Sequence, residues 1–422
     1  MSAADSRSAI DAVWRMEAAK IIGGLTRIVR DVSLAEDLAQ EALVVALEKW
    51  PATGIPPNPG AWLMATARHR ALDHFRAAGR NGLKHEELSR ELQELERTPP
   101  DLANALDDHI GDDVLRLIFT ACHPVLSAEA RAALTLRVVG GLTTDEIARA
   151  FLVPEPTIAQ RIVRAKKTLV QKQIPFVVPR GLDLAARLSS VLEVIYLIFN
   201  EGYSATAGED LTRTSLCDEA LRLGRILAEL EPGEPEVHGL VALMEIQASR
   251  SRARVTATGE PILLMEQDRA LWDRMQIERG LAALKRADAL AHGRGPYRLQ
   301  AEIAACHARA GTAAETDWGR MVSLYSELAA VAPSPVVELN RAVAVSRHAG
   351  PQPALELLEP LREDPLMKNY HLLPSVRGDL LARLGRHAEA RAEFERAAGM
   401  TQNAQERKLL MDRARAIAES AQ

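Results

Sequence analysis

From Ala12 to Trp50 the apolar residues recur at helical spacing. The cluster Pro51, Gly54, Pro56, Pro57, Pro59 and Gly60 then breaks the pattern, which predicts a helical pair followed by a stiff loop. A further helix is predicted from Ala61 to Ala78. It aligns Trp62, Leu63, Ala65, Thr66, Ala71, Leu72 and Phe75 in an apolar stripe with Arg68, Arg70 and Arg76 projecting outward, and Gly79 and Gly82 end it. Helical periodicity resumes at Val114 and runs to about Gln173, stopping before Pro175 and Pro179, because the residue ahead of a proline is pushed out of the helical region. Beyond Gly181, helical stretches alternate with Gly and Pro breaks to the end of the chain. In that region Gly378, Gly385, Ala390, Phe394 and Ala397 follow the spacing of a helix-turn-helix repeat of tetratricopeptide type, ~34 residues long. Weaker copies fall at Ala342, Ala354 and Leu358, at Tyr325, Leu328 and Pro333, and more distantly at Ala220, Leu227 and Pro232. The pattern predicts an all-α chain with a first helical module over 1–85, a linker over 86–112, a second small module over 113–175 and a helical-repeat region over 176–422.

Composition supports folded helical modules over a large sheet or disorder, at 47% apolar, 26% charged and 4% aromatic residues. With a net charge of −5, any nucleic-acid binding has to come from local basic faces. Charge is unevenly spread: residues 86 to 113 carry ten acids against Arg90 and Arg97, the signature of an acidic linker. Cys122, Cys217 and Cys306 are odd in number and form no CxxC, which fits a reducing compartment. Cys122 and His123 alone are poor zinc spacing, so no metal is expected. Neither Gly-x-Ser-x-Gly, His-Glu-x-x-His nor a phosphate loop is present, so neither an enzyme nor a cofactor is expected. The most apolar run, Val194 to Phe199, is far shorter than the ~20 residues that span a bilayer, and no signal-peptide stretch opens the chain. A cytoplasmic protein without a membrane partner is predicted.

The strongest chemical signal lies between Leu142 and Thr168. Thr143 or Thr144 caps a helix whose Ile147, Ala148 and Phe151 face inward, and a tight turn follows over Val153 to Glu155. Pro156 then opens a second helix, where its missing N–H is no loss. Ile158, Ile162, Ala165 and Leu169 line its buried side, while Thr157, Gln160, Arg161, Arg164, Lys166 and Lys167 lie opposite, in a stretch with no acidic residue from 156 to 172. This predicts a helix-turn-helix with its second helix facing DNA. Gln160 and Arg161 suit bidentate contacts to base edges, and Arg164, Lys166 and Lys167 suit phosphates. The competing reading is a solvated basic face on a structural helix pair.

A helix-turn-helix alone does not separate a polymerase specificity factor from a repressor or a response regulator. The stretch AEDLAQEALVVALEKW, Ala35 to Trp50, resembles the core-binding helix of extracytoplasmic-function sigma factors, with Asp37, Leu38, Gln40 and Glu41 as its DLxQE signature. The stretch AWLMATARHRALDHFR, Ala61 to Arg76, resembles the next helix of that family, which reads and opens the minus-10 element, although the family usually has Asn where His69 stands. Val153 to Ala165 is similar to the family's minus-35 reader, VPxGTVKSRLxRA, with Pro156 in place of Gly and Ala159 in place of Lys. The three motifs occur in the family's order across residues 10 to 170. The extension, with Phe199-Asn200-Glu201-Gly202-Tyr203, resembles that of the subgroup bearing a C-terminal tetratricopeptide-like domain, for which no dedicated anti-sigma factor is implied.

The resemblance implies a sigma factor that binds core RNA polymerase and recognises a two-part promoter in DNA. Asp37 and Glu41, four residues apart, share one helical face and can pair with basic residues of a partner, with Gln40 beside them. Arg68, His69, Asp73 and Arg76 offer polar groups to the DNA backbone and to an unstacked base. The acidic linker is either a mimic of RNA in a basic polymerase channel or a solvated spacer. Repeat arrays commonly present a concave groove, so a peptide or protein partner of the extension is expected. Leu188, Val191, Leu192, Ile195, Tyr196 and Phe199 have the spacing of a docking surface for the extension or of its first core helix. The competing functions are a helix-turn-helix regulator acting without core polymerase and a repeat-domain scaffold.

Overall fold

The computed structural model describes residues 3–78, 113–151, 153–203, 207–208, 214–256, 260–290, 293–368 and 370–420. These residues are overwhelmingly helical, and they form two compact units, Met1–Leu197 and Ile198–Gln422.

The first unit begins with α1 (Ala3–Val29), α2 (Val32–Thr53) and α3 (Pro59–Ala78), which pack on one another. Trp14, Ile22, Leu25, Leu38, Ala42, Leu63, Leu72 and Phe75 are buried there, and the rings of Trp50 and Trp62 meet edge to face at 5.2 Å. Asp31 starts α2 by accepting from the amides of Ser33 and Leu34 at 2.7 and 3.2 Å. Pro51 does not end α2 as its type predicts. In the last turn a proline forfeits only the hydrogen bond of its own nitrogen, and the helix runs on until the Gly54 amide closes onto Trp50 O at 2.9 Å. In α3, Ala65 is exposed, and its expected place in the apolar stripe belongs to Ala67.

The second module comprises α4 (113–121), α5 (Ala128–Val138), α6 (Thr144–Phe151) and α7 (Glu155–Gln171). The acidic stretch 86–112 lies outside the described residues. Asp113, which ends that run of acids in the sequence, is buried and paired with Arg27 of α1 at 3.0 Å and Arg116 at 2.6 Å. The two modules pack closely. Gly141 adopts φ +70°, and a side chain there would sit 3.3 Å from Ala18 Cβ of α1, so this contact needs glycine twice over.

Helix α8 (Leu182–Tyr203) follows, and its first part is bonded into the second module. Arg187 Nη2 donates to Phe119 O at 2.6 Å, Ser190 Oγ donates to Cys122 O at 2.7 Å, and Arg131 reaches both Ser190 Oγ and, at 3.0 Å, Glu193. The carbonyls at the end of α4 are therefore satisfied by residues of α8. The first compact unit consequently runs to Leu197, beyond the position 175 at which proline content predicts a boundary. Phe199 stacks on Tyr203 at 5.5 Å within the second unit.

That second unit contains α9 (Thr214–Leu230), α10 (Pro235–Ala248), α11 (Arg274–Leu290), α12 (Pro296–Arg309), α13 (Trp318–Val331), α14 (Pro335–His348), α15 (Pro351–Leu358), α16 (Leu372–Arg383), α17 (His387–Met400) and α18 (Ala404–Ser420). Most pack chiefly on their neighbours in sequence, but α12 packs mainly on α10, where Gly239 lets the Arg298 backbone come close. The missing side chain of Gly378 on α16 leaves room for the fully buried ring of Phe394 on α17, 3.0 Å from where a Cβ would stand. Ala207–Gly208, just after α8, pairs in parallel with Gln402–Asn403, just before α18. The three cysteines are buried and free, and burial pushes the Cys122 thiol up to about 11, as befits inert core residues.

Candidate nucleic-acid interface

The geometry of α6 and α7 starts with a reciprocal cap. The Thr143 amide and hydroxyl donate to Glu146 Oε2 at 2.8 and 3.0 Å, and the Glu146 amide donates back to Thr143 Oγ1 at 3.1 Å. Arg15 of α1 pairs with the same carboxylate at 2.5 Å. Partial burial pushes the Glu146 carboxyl up, but the bonds from Thr143 and the Arg15 charge outweigh it and hold the group below the ordinary range. Thr143→Ala is expected to cost about 1 kcal/mol, the usual value of an N-cap side chain. Urea unfolding checks this, and an unchanged midpoint would show the cap to be idle.

Helix α7 has Pro154 as its cap and begins at Glu155, one residue ahead of the predicted start. Ile158, Ile162, Ala165 and Leu169 are buried, as the periodicity predicts. Thr157, Gln160, Arg164 and Lys167 are exposed and Arg161 is half-buried. The Arg164 guanidinium touches Gln160 Oε1 at 3.5 Å, a contact readily exchanged for one to a ligand. Thr157, Gln160, Arg161 and Arg164 line a groove of about 370 Å³ beside Ser127 and Thr168.

Lys166 departs from its expected place among the phosphate contacts. Its side chain is only 12% exposed, and Nζ forms an ion pair with Glu36 Oε2 on α2. Arg137 of α5 pairs with the other oxygen of the same carboxylate at 2.5 Å, and Glu36 itself is buried. Helix α7 is thereby tied to the helix that carries the DLxQE signature.

On α2, Asp37 and Glu41 are exposed and Gln40 is half-buried. Partial burial raises the Asp37 carboxyl above its ordinary value; Lys166 opposes this, and the neighbouring acids Glu36, Asp31 and Glu41 reinforce it. Leu38, of the same DLxQE signature, faces inward. It is 2% exposed, because the position between two outward acids on a helix turns into the module's own core. On α3, His69, Asp73 and Arg76 are exposed, with Arg76 3.6 Å from Asp73, and His69 Nδ1 lies 2.8 Å from Ala65 O. Arg68 is half-buried with a buried Nε that lacks an acceptor, and burial together with nearby Arg27 lowers its affinity for the proton. Among the described residues no group of His, Cys, Asp and Glu is placed to hold a metal ion, and no helix is long and apolar enough to cross a membrane.

The sequence reading missed Glu36, Arg137, Arg27 and Asp113. Their pairs join positions about 86 to 101 residues apart, as Arg27–Asp113 and Arg137–Glu36 do, and no local spacing announces them.

Residues 14–81 match the family model for sigma-70 region 2 and residues 116–169 that for sigma-70, region 4, so the three-helix module and the helix-turn-helix module are those of a sigma-70-type protein. Over 40% of this chain and 94% of the relative, the sequence is 30% identical to the ECF RNA polymerase sigma factor SigL of Mycobacterium tuberculosis, and the chain belongs to the ECF sigma factor family. It is also 28% identical to the RNA polymerase sigma-H factor of Pseudomonas aeruginosa, over 36% of this chain and 78% of that protein. Residues 187–288 match a family of unknown function, DUF6596. Similarity along most of the length is found with the uncharacterized protein R00370 of Rhizobium meliloti, 47% identical over 91% of this chain and 90% of that protein.

Proposed function

We propose that this protein is an RNA polymerase specificity factor whose α2 binds the core enzyme through Asp37, Gln40 and Glu41, whose α3 reads the minus-10 element through Arg68, His69, Asp73 and Arg76, and whose α7 reads the minus-35 element. The observation that carries the reading is the outward face of α7. Thr157, Gln160, Arg164 and Lys167 stand exposed on a buried apolar stripe, in a chain whose net charge is negative. Run-off transcription with purified core polymerase, with and without the protein, on its own upstream DNA tests it. Transcription dependent on the protein is expected, and its absence removes the reading.

Base and phosphate contacts separate by substitution. Arg161→Ala is expected to relax preference at about one base pair and to cost roughly 1–3 kcal/mol, whereas Lys167→Ala weakens binding to all sequences alike and lowers the salt slope by about 1. Binding-site selection with each variant checks this; an unchanged motif for Arg161→Ala would pass the base contact to Gln160 or Thr157.

The helical extension, read as a tetratricopeptide-like array, acts in this proposal as a built-in regulator. The support is α8, whose Arg187 and Ser190 bond to the second module. The double substitution Arg187→Ala, Ser190→Ala is expected to alter run-off rate at unchanged helix content by circular dichroism. An unaltered rate argues that the extension is a passenger.

A further inference from the structure

The second unit carries an open cavity of about 530 Å³, the size of a small-ligand site, which the sigma-factor reading does not use. Two guanidinium groups converge there on Tyr203, the last residue of the Phe199 to Tyr203 motif. Arg254 lies 3.6 Å from the ring centroid and donates to Tyr203 O, and Arg250 lies 5.8 Å from the ring and donates to Tyr203 Oη at 2.8 Å. Arg250 is only 9% exposed, and its buried Nε has no acceptor. Neither arginine forms an ion pair with a carboxylate among the described residues. Burial lowers the hold of Arg254 on its proton, Tyr203 and more weakly Glu406 oppose that shift and the adjacent Arg250 adds to it, yet guanidinium groups stay charged in proteins.

The other charges lining the cavity are already matched. Arg413 pairs with Asp379 at 2.5 Å and lies over the Phe394 ring. Glu406 is engaged by His371 Nε2 at 3.1 Å and by the Thr401 hydroxyl at 2.8 Å; burial pushes its carboxyl up, but those bonds and the Arg254 charge hold it below the ordinary range. Two guanidinium groups thus share the one carboxylate of Glu406, which leaves the lining net positive, in partly dry surroundings where an anion gains most. A second orphan is Gln267 Oε1, which is buried in the same lining with no donor. Leu263, Leu264 and Leu410 supply an apolar wall.

We propose that this cavity binds a carboxylate that carries an N–H donor and an apolar side chain beside it, the chemistry shared by an N-acylated amino acid and the free C-terminus of a peptide. The carboxylate spans Arg250 and Arg254, the N–H satisfies Gln267, and the side chain lies on the leucine wall. The proposal stands independently of the polymerase reading.

Isothermal titration of the full chain tests it with four probes: N-acetyl-leucine, N-acetyl-leucinamide, acetyl-Ala-Ala-Leu with a free terminus, and inorganic phosphate. Both acids are expected to saturate one site, with the amide at least tenfold weaker. A peptide tenfold tighter than acetyl-leucine identifies a chain terminus as the source, and equal affinities identify a free small acid. Arg254→Gln is expected to lose at least tenfold. Leu264→Trp fills the cavity without removing a charge and is expected to abolish binding, with folding of each variant checked by circular dichroism. The idea is overturned by equal binding of acid and amide, by phosphate binding in preference to the acids, by unimpaired binding to folded Leu264→Trp, or by no saturation at about 10 mM, above the ~1 mM of a weak site.

Discussion

Replacing Glu36 by alanine is expected to cost the first unit about 3–5 kcal/mol, because it strands two cations in a largely dry interface. Glu36 has a side chain only 4% exposed, and its partners Arg137 and Lys166 are 18% and 12% exposed, so solvent screens these pairs poorly. Both partners lose their counter-charge at once, which distinguishes this site from exposed pairs such as Arg70–Glu41 at 3.8 Å, where ~0–1 kcal/mol is usual. The same substitution frees Lys166 on α7. Affinity for arbitrary duplex DNA is therefore expected to rise, and the slope of log affinity against log salt to steepen by about 1, as for one added phosphate contact. Urea unfolding and fluorescence anisotropy across a salt series read the two effects, which run in opposite directions. Stability within about 1 kcal/mol of the parent would show Glu36 to be an ordinary surface acid.

The second large effect concerns the exposed face of α2. Asp37→Lys with Glu41→Lys reverses two charges on one exposed face, and like charges brought together at an interface cost several kcal/mol, so core-polymerase affinity is expected to fall by a hundredfold or more. The fold is expected to survive, because Leu38 and Ala42 between them carry the buried contacts and are untouched. Glu41 gives up only its long contact to Arg70. A pull-down with purified core enzyme, beside a circular dichroism spectrum, checks both statements. Unchanged capture of a folded double variant would move the polymerase contact elsewhere.

How far this was legible depended on the range of the interaction. Period and punctuation located α2, α3, α6 and α7, and the buried stripe Ile158, Ile162, Ala165 and Leu169 was readable residue by residue, because helical burial repeats every turn. Surface charge on α7 was legible for the same reason, but the fate of Lys166 was not. Its spacing places it beside the phosphate contacts, and only the folding of α2 onto α7 reassigns it. The burial of Leu38 was not legible either, since a family signature does not separate residues that touch a partner from those that hold the helix in place. The compact unit runs past the prolines at 175 and 179, because prolines mark where a helix stops, whereas the start of α8 is bonded to the second module.

The parallel pairing of Ala207–Gly208 with Gln402–Asn403 bears on how the chain is made. An open repeat array can consolidate as each successive pair of helices leaves the ribosome, since each needs only its neighbour. Here the segment after α8 waits for a partner about 200 residues downstream, which takes on the order of 10–40 s at ~5–20 residues per second. The first unit is complete in the nascent chain throughout that interval, while the ends of the second are unpaired. A ribosome that stops ahead of Gln402 therefore releases a chain with a finished DNA-reading half and an unfastened extension, a natural substrate for proteolysis. The clip makes full-length synthesis a condition of a closed second half.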